Sequence, residues 1–176
     1  RVGQIPRIFP NPVIKNRVIC VTGIAETVGF STIITDQVPN LHTLSSGQCF
    51  PLKLYEKCSA QDESSKSDDM HDDLFGKDQP NESINTDAEY TVKDGITDIG
   101  LAHFQSAYPT EAINKEDVFY YIYGLLHSED YKKRYADNLS KELPRIPCVK
   151  KASDFWAYSQ AGRDLAELHI NYESVE

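Results

Sequence analysis

The stretch Asp117-Val-Phe-Tyr-Tyr-Ile-Tyr-Gly-Leu-Leu-His-Ser-Glu-Asp-Tyr131 decides the fold of this chain. Asn114 ahead of it is a suitable N-cap, and the acidic residues of the first turn suit the helix dipole. Ser128 can cap a second helix, which Pro144 prevents from continuing far. Its apolar residues recur at the spacing of one helical face, and they are Val118, Tyr121, Ile122, Leu125 and Leu126.

Upstream of these helices the pattern is that of strands. Residues 17–24 are apolar on both faces, which predicts a buried strand. Further strands are predicted over 30–35 and 48–55, and Pro51 restricts the last to an edge, a bulge or a strand end. The proline-containing residues 1–16 are predicted to be an extended arm.

Helices resume at Thr97, a predicted N-cap, and a final helix is predicted to begin at Ser153. The apolar stripe predicted for that helix consists of Phe155, Tyr158, Gly162, Leu165, Leu168 and Tyr172. The predicted fold class is therefore α+β, with a small N-terminal β-sheet, a flexible acidic insert and a C-terminal helical bundle. The predicted boundaries are 1–55 for the β-rich part, 56–89 for the insert and 90–176 for the helical part.

The net charge of −9 is concentrated in the insert, where eleven acidic residues face only three basic ones. Few apolar residues occur there, so the segment cannot bury enough surface to offset the entropy of ordering. Two basic islands flank it. The N-terminal basic island is residues 1–25, with four basic and no acidic residues, and the C-terminal basic island is residues 132–151, with seven basic and two acidic ones. Each island fits either a solvated surface or a set of phosphate contacts.

The sequence contains no recognisable catalytic or metal-binding motif. It has no phosphate-binding loop, dinucleotide fingerprint or nucleophile elbow. No cysteine has a metal-ligand spacing, and Cys20 and Cys49 are predicted to be small core residues rather than reactive thiols. His127 is predicted to bond the last carbonyls of its own helix. The cysteine usage and the lack of a visible signal peptide lead us to expect a cytoplasmic protein.

Three segments together resemble the C-terminal region of type ISP restriction–modification enzymes and related single-chain methyltransferase–specificity proteins. They are "DVFYYIYGLLHSEDYKKRYADNLSKELPRIP" from Asp117, "GFSTIITDQVPNLHTLSSGQCFPLKLYE" from Gly29 with the preceding Val18–Thr22, and "DFWAYSQAGRDLAELH" from Asp154. The resemblance implies a target-recognition domain for duplex DNA that is non-catalytic and uses no cofactor itself. It also implies that methyltransferase, helicase and endonuclease modules, which would use S-adenosylmethionine, ATP and Mg, lie elsewhere in the same polypeptide.

A DNA reader needs cations for phosphates and polar side chains for base edges. The candidate phosphate contacts are Arg7, Lys15, Arg17, Lys132, Lys133, Arg134, Arg145, Lys150 and Lys151. The candidate base readers, chosen for their place on loops, are Thr27, Ser31, Thr32, His42, Thr43, Ser45, Ser46 and Gln48; Gln48 is alternatively a solvent-facing strand residue. The alternative function is a non-catalytic docking domain that couples the enzyme's modules through the aromatic run Phe119–Leu126.

Overall fold

The computed structural model describes residues 5–23, 29–39, 44, 47–58 and 90–174. Antiparallel strands precede the long helices, so the predicted α+β class is confirmed. Within these residues, no helix is both long and apolar enough to cross a membrane. The elements are α1 (Ile5–Ile8), β1 (Val18–Val21), β2 (Thr32–Thr35), β3 (Gln48–Pro51), β4 (Lys53–Lys57), β5 (Tyr90–Asp94), α2 (Asp98–Ala107), α3 (Lys115–His127), α4 (Glu129–Arg134), α5 (Ala136–Leu139), α6 (Ala152–Ile170) and a 3₁₀ turn (Tyr172–Ser174).

The central strand β1 lies between two layers of apolar side chains. It pairs with β2 on one side and β3 on the other, and all four of its residues are buried. Ile19 and Val21 belong to the main core with the helices, whereas Val18 and Cys20 pack with Ile8 of α1. Successive strand side chains point to opposite faces. The prediction of a strand buried on both faces is therefore confirmed.

The strand predicted over 48–55 is two strands rather than one. β3 ends at Pro51 on the edge of the three-stranded sheet, as the proline required, and β4 pairs with β5 in a separate hairpin. The sequence did not predict β5, because this strand has only five residues and most of them are exposed. Lys57 is paired with Tyr90. The predicted insert 56–89 lies outside the described residues, except for residues 56–58.

Helix α3 is buried on almost every side, not on one face as its periodicity predicted. Phe119, Tyr120 and Tyr123 are buried in addition to the predicted apolar face, of which Ile122 alone is only half-buried, because α3 contacts both α6 and β2. At the crossing with α6, two glycines face each other. A Cβ on Gly124 would lie 2.2 Å from the Tyr158 carbonyl oxygen, and one on Gly162 would lie 1.9 Å from that of Tyr120.

The predicted caps at Thr97, Asn114 and Ser128 are all confirmed by side-chain hydrogen bonds to backbone N–H groups. Asn114 forms a reciprocal capping box with Asp117. The Ser153 cap is wrong, because α6 begins at Ala152 after Lys151 and no side chain caps it.

Two other sequence predictions on helices are corrected by the structure. The predicted extended arm contains α1, where Pro6 fits the first turn because its missing N–H is not needed there. The predicted stripe is wrong at Leu168 (49% exposed) and at Tyr172, which lies beyond the end of α6 and is 69% exposed. The buried face of α6 consists of Phe155 with the small residues Ser159, Gly162 and Ala166.

Candidate functional site

One end of the three-stranded sheet gathers the described candidate base readers. β1 ends at Val21, which is paired with both Thr32 at the start of β2 and Gln48 at the start of β3. Beyond it, the Thr22 amide donates to the Ser31 carbonyl (3.0 Å), which closes the ladder. We call this edge the loop end of the sheet, because the chain enters β2 and β3 here and leaves β1 here.

The candidate readers differ in how the structure places them. Ser31 is exposed at the loop end, and Gln48 is half-buried there. Thr32 is only 7% exposed, and its hydroxyl donates to the Cys20 carbonyl (3.0 Å). Its side chain therefore holds the sheet together, and we remove it from the candidate readers. The others, Thr27, His42, Thr43, Ser45 and Ser46, lie outside the described residues.

Lys132, the first residue of the C-terminal basic island, lies beside the loop end. Lys132 of α4 lines a cavity of about 270 Å³ together with Thr22, Gly29 and Phe30 from the sheet and Ser140 from the end of α5. Residues 110 positions apart in the sequence thus meet at one place. This arrangement puts Lys132 of α4 at the loop end of the sheet, beside Phe30, which precedes Ser31. The sequence alone could not establish this proximity.

Three tyrosines fix the rest of this island by holding alternate carbonyls of the segment 145–149. Tyr131, Tyr121 and Tyr108 donate through their hydroxyls to the carbonyls of Arg145 (2.7 Å), Pro147 (2.6 Å) and Val149 (2.7 Å). Burial raises the pKa of Tyr131 to about 12, so this hydroxyl keeps its proton at neutral pH. The buried phenols thereby fix the backbone that carries Arg145, Lys150 and Lys151.

The cations of this island differ in whether they have acidic partners. Lys132 pairs with Glu129 (3.3 Å) and Arg145 with Glu142 (3.0 Å), and such exposed pairs contribute little stability. The remaining members are exposed, and none of them makes an ion pair with a described carboxylate. They are Lys133, Arg134, Lys141, Lys150 and Lys151. Arg134 and Lys150 line one groove of about 780 Å³, between the ends of α3 and α4, the segment 147–150 and α6, which we call the tyrosine groove.

A second groove, of about 790 Å³, lies between the N-terminal part and helices α3 and α6, and we call it the arginine groove. The Arg163 guanidinium lies 4.4 Å from the centre of the Tyr120 ring, and the Arg17 Nη1 donates to the Tyr120 hydroxyl (2.5 Å). Arg163 also pairs with Glu116 (3.0 Å) and Asp117 (2.8 Å).

The cations of the N-terminal island are largely engaged within the protein. Arg17 pairs with Glu167, and Arg7 pairs with Glu56 (2.6 Å). Lys15 is exposed and lines the arginine groove. Because the arginines have acidic partners, this side is better suited to holding the sheet against the helices than to binding phosphates.

The two basic islands do not join through these grooves. Arg163, Glu167 and Ile170 of α6 line the arginine groove, whereas Tyr158 and Ala161 line the tyrosine groove. At 100° per residue, the two sets lie about half a turn apart on α6. A single straight DNA surface therefore cannot engage both grooves across this helix.

The structure also shows why His127 does not cap α3. Its buried Nε2 has no hydrogen-bond partner among the described residues, and the helix ends with the Ser128 amide donating to the Leu125 carbonyl (3.0 Å). The ring packs against Tyr123 and His169 (centroids 4.7 and 5.4 Å). Burial, with a smaller contribution from His169, lowers the pKa of His127 to about 4. Among the described residues, no group of three or more potential ligands could hold a metal ion.

Sequence reasoning missed the residues that connect the two halves of the molecule. Tyr120 was assigned only to an aromatic run, and Arg163 to no role. Arg163 and Glu167 are four residues apart on one helix, a spacing that could have indicated a charged face. It could not indicate their partners, because these are more than 40 residues away in the chain.

Comparison with known proteins gives a consistent result. The DrdV–DNA complex, solved by cryo-electron microscopy, is 32% identical, covers 98% of this chain and has a TM-score of 0.73. The DNA-bound ATP-dependent Type ISP restriction–modification enzyme LlaBIII is 25% identical over 98% of this chain, with a TM-score of 0.72. A nuclease-deletion mutant of the Type ISP enzyme LlaGI, in complex with a DNA substrate mimic, is 28% identical over 97%, with a TM-score of 0.62.

This chain spans only 14%, 9% and 11% of those three chains, respectively. Among curated protein sequences, none matches it significantly. The family described as the Type ISP C-terminal specificity domain matches residues 1–176. The chain therefore belongs to the family of Type ISP C-terminal specificity domains.

Proposed function

We propose that this chain is the sequence-specific duplex-DNA recognition domain of a restriction–modification enzyme. The observation that carries the proposal is that nearly the whole chain superposes on part of three proteins whose structures contain DNA or a DNA substrate mimic. The chain corresponds to only 9–14% of the length of those proteins. We infer that the methyltransferase, helicase and endonuclease modules, with S-adenosylmethionine, ATP and Mg, belong to other parts of the same polypeptide.

The loop end of the sheet and the adjoining α4 form the favoured DNA-facing surface. Phosphate contacts position a reader, and polar side chains at base edges specify the sequence. Lys132 shares a cavity with Thr22 and Phe30 at the loop end, and Lys133 follows it on α4. Ser31 follows Phe30, and Gln48 begins β3 at the same end of the sheet. Gln48 carries an amide, which suits the adjacent acceptor and donor on an adenine. The two requirements of a reader are thus met within one region.

The docking alternative loses its main support. It depended on the aromatic run as an interface, but Phe119, Tyr120, Tyr121 and Tyr123 are each at most 2% exposed. These side chains form the core of the chain and are not available to another module.

A salt titration tests the phosphate contacts. Binding of the full chain to duplex DNA would be measured by fluorescence anisotropy at several salt concentrations. Each phosphate contact adds about 0.9 to the slope of log K against log salt. The variant Lys132→Ala/Lys133→Ala should bind more weakly, with a slope that is shallower by about 1–2.

The matched control is Lys53→Ala/Lys93→Ala, which removes the same charge from the β4–β5 hairpin. The acidic partners of these two lysines are Asp94 and Glu56. Each keeps a second basic partner in the control, because Asp94 also contacts Lys115 and Glu56 also contacts Arg7. The control should keep the wild-type slope. If both variants lose equal affinity and slope, the effect is general electrostatics and α4 is not the contact surface.

A second measurement tests sequence reading. Duplexes enriched from a random pool by the wild-type chain would be compared with scrambled duplexes. Gln48→Ala should reduce discrimination between the two by about 1–3 kcal/mol while leaving the salt slope unchanged. A wild-type chain that enriches no sequence would refute recognition by this chain alone.

A further inference from the structure

Cys20 and Cys49 lie directly opposite each other on β1 and β3. In the same register, Arg17 lies opposite Leu52. The Leu52 amide donates to the Arg17 carbonyl (2.7 Å), so Arg17–Leu52 is a hydrogen-bonded pair. Bonded and non-bonded pairs alternate along an antiparallel ladder. Three positions further along, the Cys20–Cys49 pair is therefore non-bonded.

That position has the geometry a disulfide requires. Opposite residues at a non-bonded site have Cα atoms about 4.5 Å apart, within the range of about 4.4–6.8 Å that disulfides span. The two sulfur atoms are 3.5 Å apart. Forming a bond of about 2.0 Å requires only a small movement of the side chains, with no change in strand register.

The two thiols differ in exposure, which gives them different roles. Cys20 is 2% exposed, whereas Cys49 is exposed on the edge strand. The prediction that both are core residues is therefore wrong for Cys49. The hydrogen bond from Cys20 lowers the pKa of Cys49 to about 7, against the opposing effect of burial, while the same bond and burial raise the pKa of Cys20. Cys49 is thus the accessible thiolate, and Cys20 the protonated thiol behind it.

We propose that Cys49 and Cys20 form a thiol–disulfide exchange site that reacts with low-molecular-weight disulfides such as oxidised glutathione. The Cys49 thiolate attacks one glutathione sulfur, which forms a mixed disulfide and releases glutathione thiolate. Cys20 then attacks the Cys49 sulfur, its proton passes to the departing glutathione, and the Cys20–Cys49 bond forms. In total, two protein thiols are oxidised and one oxidised glutathione is reduced to two thiols.

The bond would act on the candidate DNA-reading region. It would join β3 to β1 one residue from the pair Val21–Gln48, at the loop end of the sheet. The modification itself does not depend on DNA binding, so its chemistry can be tested even if the proposed function fails.

Reaction of the reduced full chain with oxidised glutathione, followed by intact mass and peptide mapping without reductant, tests the site. In the wild type the Cys20–Cys49 pair should lose two hydrogen atoms and yield a linked peptide, which dithiothreitol reverses, whatever glutathione adduct the exposed Cys58 carries. Cys20→Ser should stop at a glutathione adduct on Cys49, and Cys49→Ser should leave Cys20 unmodified. Cys58→Ser/Cys148→Ser, which removes the other cysteines, should behave as the wild type does.

The rate provides a further criterion. At pH 7, a thiol with a pKa of about 7 is half ionised, compared with about 3% for an ordinary cysteine of pKa about 8.5. The lower basicity reduces the nucleophilicity of the thiolate about fivefold, so Cys49 should react about threefold faster than a free-cysteine peptide. A stable adduct on Cys49 in the wild type, or absence of the linked Cys20–Cys49 peptide from the wild type, would overturn the proposal. Because both of these results come from the unsubstituted chain, misfolding of a serine variant cannot obscure the answer.

Discussion

Replacing Gly162 with alanine should force α3 and α6 apart. The added Cβ would lie 1.9 Å from the Tyr120 carbonyl oxygen and 2.9 Å from the Gly124 amide nitrogen. Ordinary nonbonded contacts lie at about 3.5–4.0 Å. Both obstacles are backbone atoms of a buried helix, so no side chain can rotate away. The helices must separate by at least about 1.5 Å at the crossing to reach the lower limit of that range.

The net cost can be estimated from two opposing effects. Overpacking costs about 1–3 kcal/mol and more where backbone must move, and separation loosens contacts along the whole α3–α6 interface. Alanine favours a helix over glycine by only about 1 kcal/mol. We therefore expect a loss of at least about 2 kcal/mol. For a chain of this size, that corresponds to a fall in Tm of about 4–8 °C, measurable by circular dichroism and by urea unfolding.

The matched control is Gly100→Ala in α2. There the nearest atoms to an added Cβ are the Thr97 hydroxyl oxygen at 3.3 Å and a methyl group of Ile96 at 3.6 Å, both on side chains. This variant should be as stable as the wild type or slightly more stable. If Gly162→Ala is also as stable as the wild type, the close crossing of α3 and α6 is wrong.

Four further predictions concern stability. Leu125→Ala, at a site 4% exposed, should cost about 2–5 kcal/mol, and unchanged urea unfolding would mean that α3 does not pack as described. Replacing residues 58–88 with a short Gly/Ser linker should lower Tm by less than about 10 °C, because Lys57 and Tyr90 are paired and loop closure depends only weakly on length. Arg163→Ala should cost about 1–3 kcal/mol in urea unfolding, because it leaves the buried Asp117 without its cation, whereas Lys150→Ala should be neutral. The pKa of His127 is lower in the folded chain, so the neutral ring adds a contribution to folding stability that is fully present above pH 6.5 and is lost as the pH falls towards 4. Between pH 7.5 and 5.5, the free energy of unfolding of the wild type should therefore fall by about 1 kcal/mol more than that of His127→Gln. Equal losses in the two chains would contradict this prediction.

The parts of the fold that follow from local chemistry were predicted correctly. The caps at Thr97, Asn114 and Ser128 depend on side chains within three residues of the amides they bind. The buried strand β1 was evident because apolar residues on consecutive positions leave no face for water. Pro51 marked the end of β3 because it lacks an N–H group.

The errors arose where distant parts of the chain determine the outcome. The periodicity of α3 could not show that β2 covers a second face, because β2 is distant in the sequence. The Ile34 amide, for example, donates to the Tyr123 hydroxyl (3.1 Å) across 89 residues. Leu168 was assigned to the core of α6 on hydrophobicity. The actual contact face consists of small residues such as Gly162, because closely crossing helices need little side-chain volume.

The candidate DNA surface was predictable in composition but not in arrangement. Charge counting identified two basic islands and treated them as equivalent. Their difference comes from pairing: Arg17 pairs with Glu167 of α6 and Arg7 with Glu56 of β4, whereas Lys133 and Lys150 make no ion pair within the described residues. A cation already paired must lose its partner before it can neutralise a phosphate, and an unpaired, solvated cation needs no such exchange. The C-terminal island is thus the better candidate for phosphate contacts, whereas Arg17 holds the N-terminal part against α6 and Arg7 holds α1 against β4.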